Sequence, residues 1–389
     1  MDVRGAWFQV ALAALVVTWG GNHFAPLLLL YRQNLGYSEV DVNIFFAMYA
    51  LGVIPGILLA GPLSDRYGRR PLMIIGVFAS AIGSAVLGLG SGSYLALSFG
   101  RLVVGLSVAI AMTVGTIWIK ELSTGVAPAA AARRASIALT IGGAGTIVSG
   151  VIAQWAPWPT LTPYLAHIVL AVATGSFMLL APETRSSVRT FAPLFANLIL
   201  ARRHRARFAG VVVPAALWVF AANALAVAVA PSLVVGQLGN NRVLFATLLT
   251  ALTIATGTIS QRLTGWASRV TRGHPLVLGI ALIVAGTVML ATASLTQTVW
   301  MTLVSSVVLG SGYGITIVCG LIEVQAMADE DNSGGIASLY YAITFVGFLV
   351  PVILSALSHL GPSWLLLLVL AALCAVCATV VFVRTKRSS

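Results

Sequence analysis

The chain has 389 residues, of which 59% are hydrophobic and 8% charged, with a mean hydropathy of +0.99. Too few polar side chains remain to coat a water-soluble globule, so the composition excludes one and makes lipid the solvent for most of the chain. The net charge of +12 could serve nucleic acid in amount, but the placement of the charges argues otherwise.

In chain order, apolar spans fall at about 6–31, 41–61, 71–91, 94–119, 136–154, 163–181, 208–235, 243–262, 275–295, 299–323, 336–358 and 362–383. Each has roughly the length needed to cross a bilayer as a helix. The first apolar run, Ala6 to Tyr31, is too long for a cleavable signal peptide and shows no small-residue cleavage pattern. With the N-terminus in the cytoplasm, all of the 22 Lys and Arg residues except Arg32, Arg101 and Arg242 fall on the cytoplasmic side, as the positive-inside rule asks. The basic excess is a topology signal, and both termini are expected on the cytoplasmic face of the plasma membrane. The longest hydrophilic segment, Pro182 to Arg207, divides the spans six and six. Its basic cluster from Arg202 to Arg207 lacks interleaved aromatics and adjoins a surface where anionic lipid suffices, so no nucleic-acid partner is expected. Cys319, Cys374 and Cys377 lie in apolar runs and read as small buried residues, without a disulfide framework or a zinc site.

Between the second and third spans stands Gly61-Pro62-Leu63-Ser64-Asp65-Arg66-Tyr67-Gly68-Arg69-Arg70-Pro71, a short basic loop bounded by glycine. It returns in degraded form from Gly265 to Pro275, with Arg269 where Asp65 stands in the first copy. Asn22 and Asn223, Ala135-Ser136 and Ala337-Ser338, and Gly105 and Gly310 repeat at nearly the same spacing. The chain therefore reads as an all-α polytopic membrane protein of 12 transmembrane helices in two pseudo-symmetric six-helix bundles. The bundles are expected at residues 1–186 and 208–389, with 187–207 as a cytoplasmic linker.

The loop matches G-x-L-[AS]-D-R-x-G-R-[RK] at every position, and in this the chain resembles the major facilitator superfamily of transporters, over nearly its whole length. Arg101-Leu102-Val103-Val104-Gly105 resembles the R-x-x-x-G element of its proton-coupled members, and Pro182-Glu183-Thr184 a tripeptide common after its sixth helix. The drug–proton antiporter branch carries G-P-x-x-G-G on helix 5. Here Gly145 to Gly150 has Thr146 for the proline and Ser149 for a glycine, which keeps the class and leaves the export direction open. The resemblance implies a gate built on Gly61, Asp65, Arg66, Gly68 and Arg69. In it Asp65 would face the start of helix 11 near Ser333-Gly334-Gly335, and Arg69 would pair with Glu121. Arg66 and Arg70 are also explained by topology alone.

Ionisable and polar residues inside spans are the remaining candidates, because each carries an insertion cost. Arg101 reads either as a coupling residue or as an arginine that snorkels to the outer interface. Asn22 and His23 lie deep in the first span beside Pro26, and Asn22 has its counterpart in Asn223. His23 is either a packed histidine or a proton carrier, and Glu323 either a carrier or a solvated helix end. Aromatic and apolar residues Phe24, Met48, Tyr49, Trp218, Tyr313, Tyr340, Tyr341 and Phe345 are expected to line a cavity for a small amphipathic molecule, neutral or anionic. The expected function is secondary transport by alternating access, as efflux by proton antiport. The alternatives are uptake of a nutrient or metabolite, by proton symport or facilitated diffusion, and a transport-dead receptor or a membrane enzyme on the same scaffold. No paired carboxylates, metal-spaced cluster or activated nucleophile supports an enzyme. No cofactor beyond a proton gradient is expected, and the partners are the substrate and the bilayer, with the chain a monomer.

Overall fold

The computed structural model describes residues 5–185, 200–327 and 333–386. The chain divides into two compact units, Met1–Ala196 and Asn197–Ser389. Among the described residues there is helix and no strand. The first unit holds α1 (Ala6–Leu35), α2 (Glu39–Tyr67), α3 (Arg69–Leu89), α4 (Tyr94–Leu122), α5 (Ala130–Trp155) and α6 (Thr162–Met178). The second holds α7 (Arg202–Leu233), α8 (Gly239–Arg262), α9 (Pro275–Thr296), α10 (Val299–Gln325), α11 (Gly334–Ala356) and α12 (Ser363–Lys386). Eleven of these are long and apolar enough to cross a membrane. The twelfth, α6, has 17 residues, at the short end of the spanning range of about 17–25. A short helix, Thr264–Val270, joins α8 to α9.

Local chemistry sets where the helices begin and bend. Ser38 and Asp41 close a reciprocal capping box at the start of α2, the hydroxyl accepting from Asp41 N–H and the carboxylate from Ser38 N–H. Inside α1 the regular helix stops at Asn22 and resumes at Leu28, with a tight turn over Ala25–Leu27 between. Pro26 explains the break, because it has no N–H to donate to the preceding turn. This interruption sets His23 and Phe24 off the regular helix wall.

The backbones of α2 and α4 touch. A Cβ on Gly105 would lie 2.1 Å from the Tyr49 carbonyl oxygen, and one on Gly52 2.0 Å from that of Leu102. Only glycine permits this approach, which is a close-packing device of membrane helices. It brings Arg101, one turn before Gly105, against the α2 backbone.

In the second unit, Trp218, Leu225, Ile280, Ile283, Leu309 and Ile315 form the main packed cluster around α7. A second cluster joins Phe208, Val212 and Ala216 to Ile317, Val324, Ile336 and Tyr340. Large apolar residues such as Phe78, Ile259 and Val376 are exposed on the outer faces, as lipid solvent demands.

Two expectations change. Gly61–Pro71, read as a loop, is helical except at one residue: α2 runs to Tyr67, α3 starts at Arg69, and Gly68 alone connects them. Gly68 has φ 100° and ψ 158°, a region essentially reserved to glycine, so one residue suffices for the reversal. Arg202–Arg207, assigned to the linker, form the first turns of α7. Residues 187–199 of that linker lie outside the described residues, as do Arg4, Arg189 and Arg387 of the topology argument.

Candidate functional site

The residues of the Gly61–Pro71 segment assemble an ionic cluster at the joined ends of α2, α3 and α4. Arg69 is buried, and its Nη1 lies 2.8 Å from Asp65 Oδ1 while its Nη2 lies 3.1 Å from Glu121 Oε1. It also donates to the Ser64 hydroxyl, and Thr184 donates its own hydroxyl to Glu121. Two carboxylates on one buried guanidinium supply the charge that burial otherwise makes expensive. Arg66 lies over the Tyr67 ring at 5.5 Å, and Arg70 donates to the Leu179 carbonyl at 2.6 Å.

Glu183 completes the cluster. Its carboxylate accepts from the backbone N–H groups of Arg69 at 3.1 Å, Arg70 at 2.9 Å, Thr184 at 3.0 Å and Arg185 at 2.9 Å. The first two are orphan donors of the α3 N-terminus, where a negative charge is favoured. Partial burial pushes the Glu183 carboxyl up, but the four N–H donors outweigh it and hold the group below the usual carboxylate range. Gly68 makes room: a Cβ there would meet Glu183 Oε2 at 2.6 Å. Gly61, by contrast, is an α2 residue facing open space.

A second constellation lies inside the first unit. Arg101, seven residues into α4, is 1% exposed, so it does not snorkel to an interface. Its Nε donates to the Phe45 carbonyl at 3.2 Å and its Nη1 to the Gly21 carbonyl at 3.1 Å. Its guanidinium carbon lies 4.5 Å from the centre of the Phe24 ring and 4.7 Å from that of Tyr49, cation–π distances both. Phe24 therefore covers a buried cation in this conformation.

His23 is fully buried, and among the described residues neither ring nitrogen has a hydrogen-bond partner. It sits edge-to-face with Tyr164 at 4.6 Å and with His167 at 5.1 Å. Asn22 turns its amide back to the Thr18 carbonyl at 2.9 Å, and its own carbonyl accepts from Thr146 at 3.1 Å.

His167 was missing from the sequence reading. It is buried and saturated: Nε2 lies 3.0 Å from the Val16 carbonyl and Nδ1 2.8 Å from the Ser84 hydroxyl. A carbonyl only accepts, so Nε2 carries the hydrogen and Nδ1 accepts from Ser84. Beside it Tyr31 and Tyr164 share a 2.6 Å hydroxyl contact. The available signal was a lone histidine in the middle of an apolar span.

Most of the remaining named residues lie in the second unit. Trp218 is buried with its indole N–H unpartnered, while Asn223, Tyr313 and Tyr341 are half-buried. Phe220 packs against Tyr313 at 5.7 Å and against Phe345 at 4.4 Å. Met48, back in the first unit, is half-buried on α2. Tyr340, expected to line a cavity, is fully buried and donates to the Ile317 carbonyl at 3.0 Å; it pins α11 to α10. Glu323 is no free acid: Arg207 of α7 holds it at 2.8 Å.

The chain matches the Major Facilitator Superfamily over residues 10–351. It is 26% identical over 200 residues to the probable nitrate/nitrite transporter NarK2 of Mycobacterium tuberculosis, covering 49% of this chain and 48% of that one. It is 24% identical over 294 residues to a chloramphenicol resistance protein of Pseudomonas aeruginosa, covering 71% of this chain and 65% of the relative. The chain thus spans about half to two thirds of the length of these relatives. The crystal structure of the nucleoside transporter NupG superposes with a TM-score of 0.75 at 12% identity, covering 99% of this chain and 100% of that one. At that identity the likeness speaks for the fold alone.

Proposed function

Since the chain belongs to the Major Facilitator Superfamily, we propose that it is a secondary active transporter moving a small amphipathic organic molecule across the cytoplasmic membrane by alternating access. The observation that carries the reading is Arg69, which ties the ends of α2 and α4 through Asp65 and Glu121. A cluster that closes on one buried guanidinium is held only while its members stay aligned. Parting it would leave a cation without counter-charge, which suits the cluster to a two-state gate rather than a graded one. Basic residues concentrate at this end of the spans, which supports reading it as the cytoplasmic side.

Efflux driven by proton antiport is the direction supported by the Arg101 element and by the name of the chloramphenicol resistance relative. The same partners frame the coupling: Arg101 stays charged, and His23, buried on the neighbouring helix with both ring nitrogens unpartnered among the described residues, is an ionisable group placed to respond to it. The altered helix 5 pattern favours a second reading, uptake. Thr146 bonds the Asn22 carbonyl, and Ser149 accepts from the Trp19 indole at 2.7 Å. Side-chain bonds therefore fix α5 to α1 where the exporter pattern has proline and glycine.

Purified protein in liposomes, offered a panel of labelled amphipathic compounds under an imposed pH gradient, tests both directions. Uphill accumulation in inside-out orientation against an opposing proton flux supports efflux. Accumulation with the proton flux supports uptake, and gradient-independent leakage of every compound refutes secondary active transport.

A further inference from the structure

We infer that Arg101 and His23 together receive a carboxylate group of the transported molecule, which makes the substrate class an amphipathic organic acid. The inference rests on the transport reading above and adds the chemical group that is recognised.

The first observation is a charge without a counter-charge. Arg101 is 1% exposed in a unit whose solvent is lipid, and a guanidinium does not shed its proton at physiological pH. Every acid among the described residues is engaged elsewhere. Glu39 pairs with Arg32, Asp65 and Glu121 pair with Arg69, and Glu323 pairs with Arg207. Asp41 closes the α2 capping box, and Glu183 is held on backbone N–H groups. Two carbonyls and two aromatic rings soften the burial of Arg101, but none of them carries a negative charge.

The second observation is independent of the first. His23 is fully buried with both ring nitrogens unpartnered, although a neutral imidazole has one hydrogen to donate and one lone pair to offer. Its neighbour His167, equally buried, has both nitrogens satisfied. The fold therefore can saturate a histidine here and leaves His23 open.

The two deficits meet on one stretch of α1. The Gly21 carbonyl that holds Arg101 Nη1 is two residues before His23, and the ring of Phe24 that lies against the guanidinium is one residue after it. The carbonyls of Phe45 and Gly21 take two of the five guanidinium donors, leaving Nη2 and the second Nη1 hydrogen. That remaining edge is the planar fork that matches two coplanar oxygens of a carboxylate. The imidazole N–H of His23, between the two α1 residues that touch Arg101, would supply a further donor to the same anion. The rings of Phe24 and Tyr49 would accompany the apolar body of the acid.

The test uses the purified full-length protein in detergent at fixed pH and ionic strength, titrated with acetate, benzoate and octanoate and with the amide of each. At least one acid should raise the thermal midpoint saturably, with its amide about tenfold weaker or inactive. R101K keeps the charge and loses the fork, so it should weaken that acid about tenfold. H23F removes the orphaned nitrogens without cutting any bond, and should weaken the acid while leaving the unliganded midpoint intact. Equal shifts by acids and amides, no shift by any acid, or wild-type affinity in R101K would each overturn the inference. Liposome flux of the same labelled acid separates the two readings. Binding through Arg101 without gradient-driven flux refutes transport and keeps the carboxylate site, whereas flux of the acid unchanged by R101K refutes the site alone.

Discussion

Replacing Gly68 by alanine should be among the most damaging single-atom-group changes available in this chain, and Gly61→Ala, seven residues earlier in the same motif, among the mildest. At Gly68 the backbone has φ 100° and ψ 158°. A non-glycine residue there costs about 1–3 kcal/mol in backbone strain alone. The new Cβ would also lie 2.6 Å from Glu183 Oε2, 3.2 Å from its Cδ and 3.3 Å from Pro71 Cδ. The proline ring cannot retreat, so the carboxylate must. Moving it strips the α3 N-terminus of its anion, a further cost of about 0.5–1 kcal/mol. The sum is about 1.5–4 kcal/mol. At Gly61 the helix is regular and no atom stands within 4 Å of the added Cβ, so the change is worth about 0.5–1 kcal/mol in favour of the helix.

The contrast is read as the difference in thermal midpoint between the two variants purified side by side, which cancels the detergent and the irreversibility that spoil absolute values. Gly68→Ala should unfold well below wild type, and Gly61→Ala at or slightly above it. Glu183→Ala combined with Gly68→Ala should recover the part of the loss due to the clash and none of the part due to backbone strain. If Gly68→Ala unfolds with Gly61→Ala, the single-residue reversal between α2 and α3 is wrong, and with it the placement of Arg69.

Glu121→Gln leaves Arg69 with Asp65 as its only full counter-charge, and is expected to cost about 1–3 kcal/mol and to slow transport; the thermal midpoint and liposome flux measure the two effects separately. Glu183 has a depressed carboxyl pKa, so its contribution is fully present above the ordinary glutamate value and fades as pH falls through the depressed one. Glu183→Gln should therefore lower the midpoint by an amount that is constant near neutrality and shrinks below about pH 4, where a pH-independent deficit would refute the assignment. Tyr340→Phe removes the hydroxyl bonded to the Ile317 carbonyl, and should cost about 1 kcal/mol with substrate affinity unchanged; a changed affinity would restore Tyr340 to the cavity.

What the sequence made legible follows from how strongly each feature is constrained. Length and apolarity locate helices in lipid because every backbone N–H must be bonded within its own span. The reading of twelve spans needed little more than counting, and α6 departs only by being short. The pairing of Arg69 with Glu121 follows in advance from the resemblance of the motif to its family and not from the charges alone; the two groups lie 3.1 Å apart. Helix ends were less legible. Charged residues stop a hydropathy reading before they stop a helix, so hydropathy ends α2 near residue 61 where the helix extends to Tyr67, and it assigns Arg202–Arg207 to the linker where they are helical. An arginine is a good helix former, and nothing in its chemistry ends a helix at the membrane surface.

The polar interior of the first unit was the least legible part, for a reason that the residues themselves supply. His23 and His167 have the same type of side chain in the same type of apolar run, and hydropathy gives them one value. What separates them lies 151 and 83 residues away in sequence: the Val16 carbonyl and the Ser84 hydroxyl satisfy His167, and no group among the described residues does so for His23. Partner geometry of that range is set by how α1, α3 and α6 pack, which no local pattern encodes. Arg101 shows the same dependence. From sequence it could face an interface, a partner or a cavity; the near contact of Gly52 and Gly105 with the opposing backbones decides, by drawing α4 onto α2 until the guanidinium reaches Phe45. Two glycines thus determine the surroundings of a charge one turn away.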